Sequence, residues 1–192
     1  MDRRTIIKHI SILTGVAFIG GEVFIQSGCK PSPSQDGTAF GLPKDDISLL
    51  DEIGETIIPK TDTPGAKAIG IGMFMQKMIS ACYDNDQQIV FTKGVQDFKA
   101  VFENKYKVSF INATDSQKQE FVQELNTTTY QYQKNKKDKE ADHYFTMIKQ
   151  LTILGYFTSE DGATKALRYI AVPGKYDGSF AYKAGDKAWA TS

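Results

Sequence analysis

Between Pro43 and Leu154 the apolar residues recur every three or four positions, and nowhere do they alternate over a useful length. A period near 3.6 marks helices that bury one face, whereas a period of two marks strands. The spacing predicts an all-α single domain of about five main helices. Pro43 followed by Lys44, Asp45 and Asp46 opens the first, with acids in the first turn where the helix dipole favours them. Ile47, Leu50, Ile53, Gly54 and Ile57 share one face of it, and Pro59 ends it. Thr63 before Pro64 reads as an N-cap ahead of an N1 proline. A second helix is expected over residues 71–83. Asp84, Asn85 and Asp86 break it and cap a third over 87–106, striped by Phe98, Val101 and Phe102. Thr114 caps a fourth through residue 132. A fifth is expected over 139–154, with Tyr144, Met147, Ile148, Leu151 and Leu154 inward, and Ser159 caps a short helical turn through 167.

After Tyr169 the periodicity stops. Pro173-Gly174, Asp177-Gly178 and Gly185-Asp186 are turn signals, so the C-terminal tail is expected to be irregular. Yet it holds Tyr169, Tyr176, Phe180, Tyr182 and Trp189, a density of aromatics foreign to disordered segments. These rings either fold back onto their own helices or lie on a partner, where Tyr and Trp serve as anchors.

The N-terminal region carries an address. Asp2-Arg3-Arg4-Thr5-Ile6-Ile7-Lys8 fits the twin-arginine export pattern, with Ile6 in place of the commoner Phe. Such a signal is read by a receptor and does not itself anchor. Its pathway carries proteins already folded, often with a cofactor or partner attached. The apolar stretch over 10–19 is shorter than the roughly 20 residues a spanning helix needs, and Glu22 closes it. It reads as a signal-peptide core. Ile25-Gln26-Ser27-Gly28-Cys29 resembles a bacterial lipoprotein box, with Gln26 where Leu is usual. The polar, Pro- and Ser-rich residues 30–38 then suit an extended tether. The expected organisation is a signal over 1–28, a tether over 29–42 behind a lipidated Cys29, and a helical domain over 43–192. The expected location is periplasmic and membrane-tethered, with plain cleavage and release as the alternative.

Composition excludes several chemistries. The 192 residues hold 23 basic and 23 acidic side chains. Removing residues 1–28 takes three bases and two acids, and leaves a net charge of −1. No basic field exists to attract nucleic acid. Of two Cys, Cys29 is the lipid candidate, and Cys82, in an apolar helical context, is expected to be a buried, inert thiol. His9 falls in the signal, so a zinc or Ser-His-Asp centre would have to be built on His143 alone.

Two stretches resemble a known family. One is Glu55-Thr56-Ile57-Ile58-Pro59-Lys60-Thr61-Asp62-Thr63-Pro64-Gly65-Ala66. The other is Leu151-Thr152-Ile153-Leu154-Gly155-Tyr156-Phe157-Thr158-Ser159-Glu160, continuing through Leu167-Arg168-Tyr169 to Val172-Pro173-Gly174-Lys175-Tyr176-Asp177-Gly178. Both look like the gluconate 2-dehydrogenase subunit 3 family, the small subunit of membrane-associated FAD-dependent sugar and gluconate dehydrogenases. The resemblance covers about residues 43–190. It implies a non-catalytic accessory subunit that binds no cofactor itself. The FAD sits on a large partner of the glucose-methanol-choline type, which leaves the cell attached to the small subunit, and a cytochrome subunit is a further candidate partner. Ser179 follows Gly178 where many relatives carry Cys, so a cross-link those relatives have is not expected here.

The partner-facing residues expected on this reading are Pro59, Thr61, Asp62, Thr63, Pro64 and Gly65 in the first stretch, with Tyr156, Ser159, Tyr169, Pro173, Gly174, Tyr176 and Tyr182 in the second and the tail. For the first stretch, helix capping and a turn are an equal alternative. Two rival functions remain: a free-standing surface lipoprotein that binds a ligand, and an independent enzyme. An enzyme would centre on Asp142-His143-Tyr144, with Asp51, Glu52 and Glu55 as carboxylates, although an exposed acidic helix face explains the last three equally well.

Overall fold

The computed structural model describes residues 40–138, 140–172, 174 and 177–190. The helical period is realised as five main helices: α1 (Lys44–Ile57), α2 (Ile71–Cys82), α3 (Asn85–Tyr106), α4 (Asp115–Asn135) and α5 (Tyr144–Thr158). Short 3-10 turns at Ala66–Ile69 and Phe110–Asn112 and a π-helical turn at Gly162–Ala166 join or extend them. The described residues contain no strand beyond one isolated bridge, and none of their helices is long and apolar enough to cross a membrane. The domain is all-α, as the sequence predicts.

Local chemistry sets two of the helix starts. Asp84 and Gln87 form a reciprocal capping box on α3, and Thr114 and Gln117 form another on α4. The core then follows the apolar stripes. Phe98 and Phe102, one turn apart on α3, meet Phe110 and Phe121 edge-to-face at centroid separations of 4.9–5.1 Å. Edge-to-face rings set a positive rim against a negative face, which adds about 0.5–1.5 kcal/mol per pair to simple burial. α1 packs against α2, α4 and α5, and Leu50 and Ile53 on it are fully buried.

Four expectations about burial are corrected. Asp46 is not only a first-turn acid: it is buried, and binds the Lys99 ammonium and the Gln96 amide (2.8 Å) of α3. A carboxylate in the interior must be paired to be tolerated, and this pairing ties α1 to α3. Cys82 is exposed, not buried, because it closes the last turn of α2, past Ile79, the last buried residue of that helix. Leu154 and Val101, expected on the buried stripes, are 45 % and 55 % exposed; Thr152, Gly155 and Tyr156 take the inner face of α5, and Val95, Phe98 and Phe102 that of α3.

α5 also starts later than residue 139, and the reason is His143. Its Nδ1 accepts the Phe145 N–H (3.2 Å), which caps the helix. With that nitrogen an acceptor, the Thr129 hydroxyl of α4 donates to it as well (3.2 Å). The ring stacks on Tyr144 at 4.5 Å. Both hydrogen bonds need the neutral imidazole, and burial holds its pKa below the usual 6.5. A depressed folded-state pKa means stability that is complete above about pH 6.5 and is lost as the pH falls through the lower folded value. The melting temperature should therefore drop as the pH falls below about 6.5. In His143→Asn, which retains a capping side chain that does not titrate, that part of the drop should vanish. Parallel pH–melting curves for the two proteins would refute the assignment.

Candidate functional site

The loop after α1 has no N-cap of its own. Thr63, expected to cap a helix beginning at Pro64, does not: the 3-10 turn starts at Ala66 behind Gly65, and no local side chain caps it. Carboxylates from α1 do this work instead. Glu55 accepts the Lys60 N–H with one oxygen and the Lys67 N–H with the other (2.9 Å each), so one side chain grips both ends of the loop. Asp51, one turn earlier, accepts the Gly72 N–H at the start of α2 (2.8 Å). Burial raises the Asp51 pKa, and the Gly72 hydrogen bond pulls against it. Glu52 binds Lys67 and Lys118 (2.8 Å); burial alone would raise its pKa, but the two ammonium groups hold it below the ordinary carboxylate range. Asp51, Glu52 and Glu55 are thus not a merely solvated face. They anchor the loop beyond α1 and the first turn of α2.

The second stretch meets the first at this loop. Tyr156, on the inner face of α5, is 2 % exposed, and its hydroxyl donates to the Pro64 carbonyl (2.7 Å) and lies 3.3 Å from Thr63 Oγ1. Tyr156 was expected to face a partner; this burial corrects that. Gly155 beside it is a close-packing glycine: a methyl there would stand 2.5 Å from Ile71 Cδ1 and 2.6 Å from a Phe74 ring carbon. Ser159 caps the next turn, donating to the Tyr156 carbonyl (2.6 Å) and accepting the Gly162 N–H (3.1 Å). In the loop itself Pro59, Thr61 and Asp62 are exposed, Thr63 and Pro64 half-buried, and Gly65 buried.

The tail behaves differently. Tyr169, Gly174 and Tyr182 are exposed, and Pro173 and Tyr176 lie outside the described residues, as do Arg3, Arg4 and Cys29. The described hydrogen bonds of residues 167–190 run to one another and back to residues 162 and 165, and none reaches the Pro59–Gly65 loop. Val172 is 81 % exposed and Tyr182 76 %, so these side chains do not fold back onto the helices. The tail closes instead on Arg168, a residue the sequence pattern did not single out. Its guanidinium carbon sits 4.6 Å from the Trp189 ring and 5.4 Å from Phe180.

Asp142 and His143, on which an enzyme would centre, have structural partners. Asp142 binds Lys136 (2.7 Å) and the Gln133 amide (2.9 Å), which hold its carboxyl below the usual range, while His143 caps α5. Burial raises Tyr144 to about 12. Among the described residues no group of three or more His, Cys, Asp or Glu is placed to hold a metal ion.

The sequence model described as Gluconate 2-dehydrogenase subunit 3 matches residues 44–174. The chain belongs to the gluconate 2-dehydrogenase subunit 3 family. No curated protein and no solved structure matches it. The matched span opens on the first residue of α1 and takes in both the Glu55-gripped loop and Tyr156. By the family's name, its members are subunits of a gluconate dehydrogenase complex, so association with other subunits comes with membership. In this family member the two recognisable stretches touch each other, and the residues between Glu55 and Gly65 are braced from within.

Tyr156→Phe removes one buried donor and strands the Pro64 carbonyl. It should cost about 1–2 kcal/mol in chemical denaturation, and should raise proteolytic cutting between Pro59 and Ala66. Unchanged stability and cutting would mean the hydroxyl does not brace the loop.

Proposed function

We propose that this chain is a non-catalytic accessory subunit that escorts an FAD-dependent sugar or gluconate dehydrogenase through export, assists its maturation and anchors it. The observation that carries the reading is the tail. A helical body with a well-filled core leaves Tyr169, Val172, Phe180 and Tyr182 in solvent, although burying them would be favourable. Aromatic side chains left out of a core in this way are what an interface core uses. Family membership supplies the kind of partner: another subunit of a dehydrogenase complex. The FAD belongs to a large catalytic chain of the glucose-methanol-choline type, with a cytochrome subunit as a further member of the assembly.

The location follows from the N-terminal motifs. Arg3 and Arg4 direct the folded pair through the twin-arginine pathway, and acylated Cys29 with its polar tether holds the complex on the periplasmic side of a membrane. Acyl chains contribute about 0.8 kcal/mol per buried CH₂, so more than one chain is needed for a stable anchor.

Purified under native conditions from its own host, the protein should arrive with a yellow, FAD-bearing chain. A colourless monomer, with the dehydrogenase present in the extract but unbound, contradicts the proposal. Changing Arg3 and Arg4 to Lys should leave both chains in the cytoplasm; a flavoprotein still exported without its companion removes the escort role. Cys29→Ala should move the complex from the membrane to the soluble fraction, and unchanged sedimentation with membranes would rule out the lipid.

A further inference from the structure

The tail is closed at its base by one residue. Arg168 exchanges main-chain hydrogen bonds with the far end of the chain: its N–H donates to the Ala188 carbonyl and its carbonyl accepts the Ala190 N–H, both at 2.8 Å. Its side chain joins the same point. The guanidinium lies over Trp189 and Phe180, whose rings meet edge-to-face at 5.6 Å, and its NH2 group stands 3.7 Å from Asp186. Asp186 in turn accepts the Lys183 N–H (3.0 Å), and the Lys187 ammonium binds the Lys165 carbonyl. A flat, weakly hydrated guanidinium suits stacking between rings in a way that a lysine ammonium does not.

We infer that Arg168 is a positioning residue: it clasps residues 177–190 back against the end of the helical body and so presents the exposed apolar side chains of residues 169–172 and 177–190 as one preformed docking surface for the catalytic subunit. The inference rests on the accessory-subunit reading above. The chemistry of the occupant is read from the loop. Residues 168–190 carry four bases against two acids, and Arg168 is already paired with Asp186. What is left for a partner is apolar with a small excess of lysines, which suits an apolar protein face rimmed by acids and falls short of the cluster of about four to eight bases that an anionic bilayer attracts. A loop of this length that had to close on binding would be bound more weakly by the fraction of time it spends closed. Arg168 removes that handicap without touching the partner. Arg168 lies within the family match, and the segment it captures, residues 177–190, lies beyond it.

Trp189 is the one tryptophan of the chain, so its fluorescence reports the clasp directly. The experiment uses the full chain and the flavin-bearing subunit purified with it. Arg168→Gln should shift Trp189 emission to the red, raise its quenching by acrylamide, and leave helical circular dichroism and the thermal transition unaltered. It should weaken recapture of the flavin-bearing chain about tenfold, as expected if the loop is closed only about a tenth of the time. Arg168→Lys, which keeps the charge and loses the flat stack, should fall between and serves as the milder variant if Arg168→Gln fails to fold. Unchanged emission and quenching in both variants would overturn the clasp. Altered emission with undiminished recapture would overturn the docking role, as would recapture replaced by equal binding to neutral or anionic vesicles. If the unsubstituted protein holds no flavin-bearing chain at all, the accessory-subunit reading fails, while the fluorescence comparison still decides whether the clasp exists.

Discussion

The hydrogen bond from Tyr156 to the Pro64 carbonyl is the contact on which the arrangement of this domain depends. It spans 92 positions of sequence and joins α5 to the loop that follows α1. A buried phenol must find an acceptor or forfeit the hydrogen bond it made to water, and a loop carbonyl at the surface of a helix bundle is a free acceptor. With Tyr156 on one side and Glu55 gripping Lys60 and Lys67 on the other, the loop is held from both the helix it leaves and the helix it packs against. The two stretches that identify the family are therefore one structural unit, not two separate marks.

That unit also explains why α1 is rich in carboxylates. The 3-10 turn at Ala66 and the start of α2 both follow glycines and have no side-chain cap nearby. Their free N–H groups still need acceptors. Asp51 and Glu55, one helical turn apart, provide them from a neighbouring element. Glu52, between them in sequence, points to Lys67 and Lys118, which brings α4 into the same network. A row of acids that reads as solvated surface is in fact a distant set of caps.

The domain divides its side chains between two tasks. The helical body buries a continuous apolar core, pairs the buried Asp46 and the Tyr156 hydroxyl internally, and uses His143 as a helix cap. The tail does the reverse. Its backbone and the Asp186 carboxylate close on Arg168, and Tyr169, Val172, Phe180 and Tyr182 stay exposed to water. A chain that folds fully yet withholds apolar surface from its own core has surface to give to another subunit.

Much of this was legible in the chain itself. Helix number, and the starts at Asp84 and Thr114, follow from local period and capping chemistry, which need only residues three or four positions apart. Family membership followed from two contiguous runs of sequence. The tertiary structure alone decided the rest, and in each case because the deciding partner is remote. Asp46 turned inward because Lys99 and Gln96 await it on α3; α5 began late because the Thr129 hydroxyl of α4 meets His143; Tyr156 faced inward because Pro64 offers a carbonyl there. Arg168 gained its role only when the fold returned Trp189 to it. Periodicity records which face of a helix is apolar; it carries no record of which distant polar atom that face will meet.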